Sequence, residues 1–358
     1  MVTFDRNRLT ELQESLAALP RLSLASLPTP LEFCLRLTEA LEGPRLWIKR
    51  DDLTGLATGG NKTRMFEYVL GEAVRQGADT VIGGAAVQSN YCRQLAASCA
   101  RLGLDCHLIL RKVRGARDQE IQGGLLLDLL VGARVELVEG VDWVGLGELI
   151  RQKAEAFEAQ DRRVYVARVG DESRLGLDAC AYVRALVELL EQADGLGLNI
   201  DEIWLCSSDA TQSGLAIALK HLQSPIRLVG VPALPAPVTP GQTFAQCMTA
   251  IGNQCAEILG LPTRLVPEDI VNLSAYVGPG YAVLTDEARE AMRLVGRTEG
   301  LLLDPVYTAK AMAGLIDHIR RGLIEKEANV VFLHTGGLPA LFAYAETLGL
   351  EDLLHAEG

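Results

Sequence analysis

Short runs of β-branched and apolar residues alternate along the chain with longer amphipathic stretches, and the two periods predict strands and helices in turn. Asp79–Gly83 (DTVIG) reads as a strand, followed by a helix from about Gln88 to Leu102. Cys106–Leu110 (CHLIL) is the next strand, then a helical stretch around Glu120–Leu130 and a strand at Arg134–Val138 (RVELV). Leu146, Leu149, Ile150, Ala154 and Phe157 recur at helical spacing on one face, and Arg163–Ala167 (RVYVA) closes this series. Farther along, Glu202–Cys206, Arg227–Val231 and Asn329–Leu333 read as buried strands with helices between them. This alternation predicts an α/β protein whose parallel-rich sheets are covered by helices on both faces. Ligands in such sheets bind where strands end and loops lead into helices. The loops to watch are therefore Gly83–Asn90, Ser207–Gln212 and His334–Leu338.

Composition narrows the classes. The 358 residues predict two domains at roughly 150 residues each. A 49% hydrophobic content is ample for a buried core. The net charge of −12 leaves no basic face to displace phosphate counterions, so nucleic acid is not an expected partner. The first residues, MVTFDRNRLTELQESL, carry charges throughout and do not read as a signal peptide. Apolar stretches fall well short of the ~20 residues of a membrane helix, so no membrane association is expected. The eight cysteines include no C-x-x-C pair and no nearby histidines at metal-ligand spacing. They read as buried thiols of a cytoplasmic protein, and no metal is expected.

Several segments carry chemistry. Gly59-Gly60-Asn61-Lys62 precedes the helix-like MFEYVLGEAVRQG. A lysine at a glycine-flanked helix start lies beside partial positive charge, which favours the neutral amine a Schiff-base lysine needs. Gln88-Ser89-Asn90 follow Gly83-Gly84 at a helix start, suited to a substrate carboxylate, and Ser89 or Asn90 also suits helix capping. Ser207-Ser208-Asp209-Ala210-Thr211 lies between a strand and an apolar helix. Its hydroxyls suit a phosphate, whereas the Asp209 carboxylate should repel one unless it points away. Asp304-Pro305-Val306-Tyr307-Thr308 precedes a helix, and His334-Thr335-Gly336-Gly337 follows NVVFL. Thr335 is placed to touch a cofactor ring, and His334 reads as a packed core histidine.

Taken together, LPTPLE, IKRDDLTGLATGGNKTR, QGADTVIGGAAVQSN, RTEGLLLDPVYTAKAMAGL and HTGGLPALFAY resemble the pyridoxal-phosphate enzymes of the D-cysteine desulfhydrase and 1-aminocyclopropane-1-carboxylate (ACC) deaminase family. The likeness runs in order along nearly the whole chain. It implies fold type II, the tryptophan-synthase β type, with the pyridoxal 5'-phosphate in a cleft. The large domain would comprise residues 1–54 and 165–358, and the small one 55–164. By position, Lys62 matches the lysine that binds the cofactor and shuttles protons, and Asn90 the partner of its phenolic oxygen. Gln88, Ser89, Asn90 and Tyr91 fall on the substrate-carboxylate loop, and Ser207, Ser208, Asp209, Ala210 and Thr211 on the phosphate loop. Tyr276 and Tyr307 match active-site tyrosines, and Thr335 matches the hydroxyl near the pyridine nitrogen. A homodimer and a small amino-acid substrate are implied as well.

Within that family, the ACC deaminases carry Glu after the tyrosine of the DPVY segment and Leu in the HLGG segment. Here Thr308 and Thr335 stand in those places. A neutral hydroxyl gives a weaker electron sink, which suffices for α,β-elimination of a good leaving group. The expected reaction is that of a D-cysteine desulfhydrase, giving pyruvate, ammonia and sulfide. Lys62 would take the α-proton from one face; the other enantiomer would need a base such as Ser89 or a tyrosine. L-cysteate sulfo-lyase-like activity, ACC deamination, β-replacement and cofactor binding without turnover remain alternatives. The chain departs from the family pattern at Tyr91 (usually His), Met65-Phe66 (usually Lys-Leu), Asp209 and Ala210, and at Gly170-Asp171-Glu172 (usually Gly-Gly-Ser).

Overall fold

The computed structural model describes residues 5–168 and 175–350; the Gly170-Asp171-Glu172 departure lies outside them. Ten strands occur among the described residues: β1 Leu31–Phe33, β2 Arg45–Lys49, β3 Thr80–Ala86, β4 Asp105–Arg111, β5 Arg134–Val138, β6 Val164–Val166, β7 Glu202–Cys206, β8 Arg227–Val231, β9 Val271–Asn272 and β10 Asn329–Leu333. They form a six-stranded sheet, β1-β2-β10-β7-β8-β9, and a four-stranded sheet, β5-β4-β3-β6. Every pairing is parallel except β1 with β2. The fold class is the expected one.

Alternation along the central strands explains the layers. Ile203, Leu205, Val331 and Leu333 face a core shared with the helices Gly176–Leu196 and Ala210–His221. Their neighbours Trp204, Cys206, Val330 and Phe332 face the opposite core, built with the helices Asp286–Glu299 and Thr308–Arg320. A period of two thus sends successive side chains to two different helical layers, and strands buried on both sides read as unbroken apolar runs. The small sheet repeats the scheme. Val81, Leu108 and Leu110 pack toward the helices Lys62–Arg75 and Asn90–Leu102, while Ile82 and Ile109 meet Leu146, Ile150 and Ala154 of the helix Trp143–Glu158.

Two boundaries shift from the sequence expectation. The strand β3 continues to Ala86, which shortens the following loop, and the helix after it starts at Asn90 with Ser89 as its cap. The segment β6 pairs with β3 through Thr80↔Val164, Val81↔Tyr165 and Ile82↔Val166, so the expected return at 164/165 falls inside the small sheet. All eight cysteines are buried with free thiols. No described helix is long and apolar enough to cross a membrane.

Candidate active site

The carboxyl ends of both sheets face one cleft of about 1100 Å³ counted to its mouth. Gly84–Ala86 come from the end of β3 and Arg168 from just past β6. Cys206 ends β7 and Ser207–Asp209 follow it, Ala233 and Leu234 follow β8, and Thr335 and Gly336 follow β10. Asn61 and Lys62 project from the start of the helix Lys62–Arg75.

Close backbone packing fixes that start. The Asn61 N–H donates to Thr335 O at 3.0 Å, and the Asn61 side chain donates to Thr211 Oγ1 at 3.0 Å. Three segments from distant parts of the chain are thereby tied together. Gln94 Oε1 accepts from the Thr63 N–H at 2.7 Å, supplying the helix cap that Asn61 does not. Glycine is required where these loops touch. A Cβ on Gly60 (φ +125°) would lie 2.6 Å from Gln94 Nε2, and one on Gly336 (φ +95°) would lie 2.7 Å from Gly60 Cα. These glycines let protein approach protein, and so place Lys62 and Thr335 in one cleft.

The cleft brings together Lys62, Ser89, Asn90, Tyr91, Ser207, Ser208, Asp209, Thr211, Tyr307 and Thr335. Ser89 Oγ also caps its helix by accepting from the Tyr91 N–H (3.2 Å) and the Cys92 N–H (3.3 Å). Asn90 Oδ1 accepts from Arg93 at 3.0 Å, which leaves the amide NH2 as the end it can offer a ligand. Gln88 lies behind the cleft wall. It accepts from the Gly124 N–H at 2.7 Å and donates to Gln122 O, bracing the neighbouring loop. Ala210 opens the helix Ala210–His221 but is not part of the cleft lining. His334 is buried, accepting from the Gly336 N–H at its Nδ1 and donating from Nε2 to Leu302 O, as a core histidine does.

Tyr276 is a correction. Its hydroxyl donates to Asp317 at 2.5 Å, and its ring packs beside His318, outside the cleft. Tyr281 lines the cleft instead, and its hydroxyl meets that of Tyr307 at 2.6 Å. Burial pushes the Tyr281 phenol up to about 12, with the Tyr307 hydrogen bond opposing it, so both stay protonated at neutral pH. Tyr307 is positioned by Asp304, whose carboxylate accepts from the N–H groups of Val306 (2.9 Å), Tyr307 (3.0 Å) and Thr308 (2.8 Å). Thr308 donates its hydroxyl to the same carboxylate and is not part of the cleft lining. Replacing Tyr281 or Tyr307 with Phe should lower kcat by ~10²-fold, the range of a lost acid or base. Tyr276→Phe should leave kcat within about twofold; steady-state kinetics on the three variants checks the assignment.

Electrostatics centre on Asp209. One carboxylate oxygen lies 3.8 Å from Lys62 Nζ and the other 2.9 Å from Arg168 Nη2. Burial pushes the Asp209 carboxyl up, but Lys62 and Arg168 more than reverse this and hold it at about 2. Asp178 behind them has no such net compensation, and burial carries it to about 7 against the pull of Arg168 and Lys62. Arg168 stacks 5.3 Å above the Tyr91 ring, whose hydroxyl donates to Ala167 O. Neither Arg168 nor Tyr281 was among the sequence candidates. The available signal for Arg168 was its place directly past the carboxyl end of the strand RVYVA.

These donors fit a ligand with a carbonyl, an aromatic ring and an anionic end. They comprise the Lys62 amine, the Asn90 amide NH2, the Thr335 hydroxyl and the Arg168 guanidinium, against Asp209 as the single carboxylate among the described lining residues. The comparisons agree. Residues 22–336 match the family described as pyridoxal-phosphate dependent enzyme. A solved structure described as an ACC deaminase homologue is 33% identical over 94% of this chain and 98% of that one, with a TM-score of 0.84. The chain therefore belongs to the pyridoxal-phosphate dependent enzyme family.

Proposed function

We propose that the protein is an α,β-eliminating lyase acting on a small β-substituted amino acid, with cysteine the model substrate. Elimination from cysteine consumes one water and yields pyruvate, ammonia and sulfide. Bound pyridoxal phosphate supplies the electron sink that makes the substrate Cα–H acidic. Lys62 holds the cofactor and takes that proton. Ser89 and Asn90, at the positive end of their helix, bind the substrate carboxylate through the Ser89 hydroxyl and the Asn90 amide NH2. The protonated Tyr281–Tyr307 pair gives a proton to the departing sulfur.

The observation that carries this reading is the neutrality around Thr335. Asp209 is the only carboxylate among the described lining residues, and it is engaged by Lys62 and Arg168. Thr335 thus offers the ring a hydroxyl and no anion, a weak sink suited to expelling a good leaving group rather than opening a cyclopropane. A panel of D- and L-cysteine, L-cysteate and ACC, read by 2-oxo acid release, tests it. Cysteine should exceed ACC by at least ~10²-fold in kcat/KM. ACC as the better substrate would overturn elimination, and cysteate as the best would move the leaving group to sulfite.

A further inference from the structure

The phosphate-side loop carries an anion of its own. Asp209 immediately precedes the helix Ala210–His221, yet makes no side-chain capping bond to it. Its carboxylate instead turns into the cleft between Lys62 and Arg168. The loop's serine hydroxyls are largely spent on the loop itself. Ser207 Oγ accepts from the N–H groups of Asp209 (3.3 Å) and Gln212 (3.1 Å), and Ser208 Oγ accepts from the Ala233 N–H (3.0 Å). Besides Lys62, full positive charge beside this loop comes from Arg168, which the Tyr91 ring and the Asp209 ion pair hold in place.

We infer that Arg168 is the residue that receives the cofactor's phosphate, and that Asp209 is its resident counter-ion, exchanged for the phosphate on binding. The geometry favours exchange over simple addition. A phosphate placed beside an ionised carboxylate at the same helix start would meet a like charge in a site where water screens little. Withdrawal of the Asp209 carboxylate removes that repulsion and frees the fork of Arg168 for bidentate contact with phosphate oxygens. Asp209 therefore lowers cofactor affinity by competing with the phosphate for Arg168. The inference is independent of which amino acid is the substrate.

Two ligands separate the phosphate end from the rest of the cofactor: pyridoxal 5'-phosphate, and pyridoxal, which lacks the phosphate. Dissociation constants for both can be followed by quenching of tryptophan fluorescence, since Trp143 lines the cleft. Asp209→Asn should tighten pyridoxal phosphate by at least ~10-fold, the scale of one charged contact, and leave pyridoxal within about twofold. Adding Arg168→Gln in the Asp209→Asn background should weaken pyridoxal phosphate by at least ~10-fold, again sparing pyridoxal. Inorganic phosphate should raise the Tm of the Asp209→Asn protein more than that of the unaltered one. An unchanged or weaker pyridoxal-phosphate constant in Asp209→Asn overturns the exchange. Equal shifts for both ligands overturn it too, and an inert Arg168→Gln removes Arg168 from the phosphate site. If Asp209→Asn does not fold, Asp209→Ser carries the same comparison. Failure of these tests leaves cofactor binding by Lys62 standing, because that is read separately by loss of the cofactor's visible absorbance in Lys62→Ala.

Discussion

Lys62→Ala should abolish turnover, by ~10⁴-fold or more, and remove the visible absorbance of bound cofactor. The size of the effect follows from the absence of a substitute amine. Lys62 is the only lysine among the described lining residues. The deeply buried lysines Lys49 and Lys310 are committed elsewhere. Lys49 Nζ donates to Thr29 O, Glu188 and Gln192, and Lys310 Nζ donates to Val277 O (2.6 Å) and Gly280 O (3.0 Å). Lys62→Arg makes the companion test. It keeps the positive charge beside Asp209 but cannot bind a carbonyl covalently, so it should be as inactive as the alanine variant. Borohydride reduction of the holoenzyme followed by peptide mapping should place the cofactor on Lys62. Visible absorbance surviving in Lys62→Ala, or a label on another lysine, would sink the assignment.

How far the sequence reveals this site depends on which physical signal marks each residue. The strands β5, β7, β8 and β10 were legible to the residue because short apolar runs bounded by polar ones have few other readings. The end of β3 was not legible, because Gly84-Ala85-Ala86 offer no bulk and look like a loop. Their smallness is set by packing: a Cβ on Gly84 would lie 2.3 Å from Ile109 O of the adjacent strand. The edge strand β1 escaped notice for another reason, as Leu31–Phe33 is too short to show a period. Lys62, Asn90, Tyr307 and Thr335 could be picked from ordered motifs, and the fold brings them to one cleft. The two tyrosines at 276 and 281 both lie in the irregular stretch between β9 and the helix Asp286–Glu299, where no periodicity says which one faces inward. Only the packing of Tyr276 against Gly314 and His318 tells them apart.

The second large effect is on stability and comes from Arg64, two residues past Lys62 on the same helix. Its guanidinium donates to both oxygens of Asp51 (3.0 and 2.8 Å), both oxygens of Glu188 (2.9 and 2.8 Å) and Thr29 Oγ1 (3.0 Å). Arg64 is 2% exposed and Asp51 is fully buried, so neither charge can turn to water when its partner is lost. Burial works against the Arg64 charge, but Asp51 and Glu188 more than offset it. In Arg64→Met, Asp51 keeps only neutral donors, the hydroxyls of Tyr182 (2.7 Å) and Thr29 (2.8 Å), while Glu188 keeps Lys49 (2.6 Å). The loss should be about 3–5 kcal/mol in urea unfolding, the cost of stranding a buried charge. Adding Asp51→Asn should recover part of it, since the stranded charge then disappears with its partner. Cofactor affinity should fall in Arg64→Met as well, because the Gly60 N–H donates to Asp51 O at 3.1 Å, one of the contacts that hold the loop presenting Lys62. A single variant within about 1 kcal/mol of the parent would mean that Thr29, Tyr182 and Lys49 satisfy the carboxylates without Arg64. A double variant less stable than the single would show that Asp51 anchors the loop through its own hydrogen bonds more than through its charge.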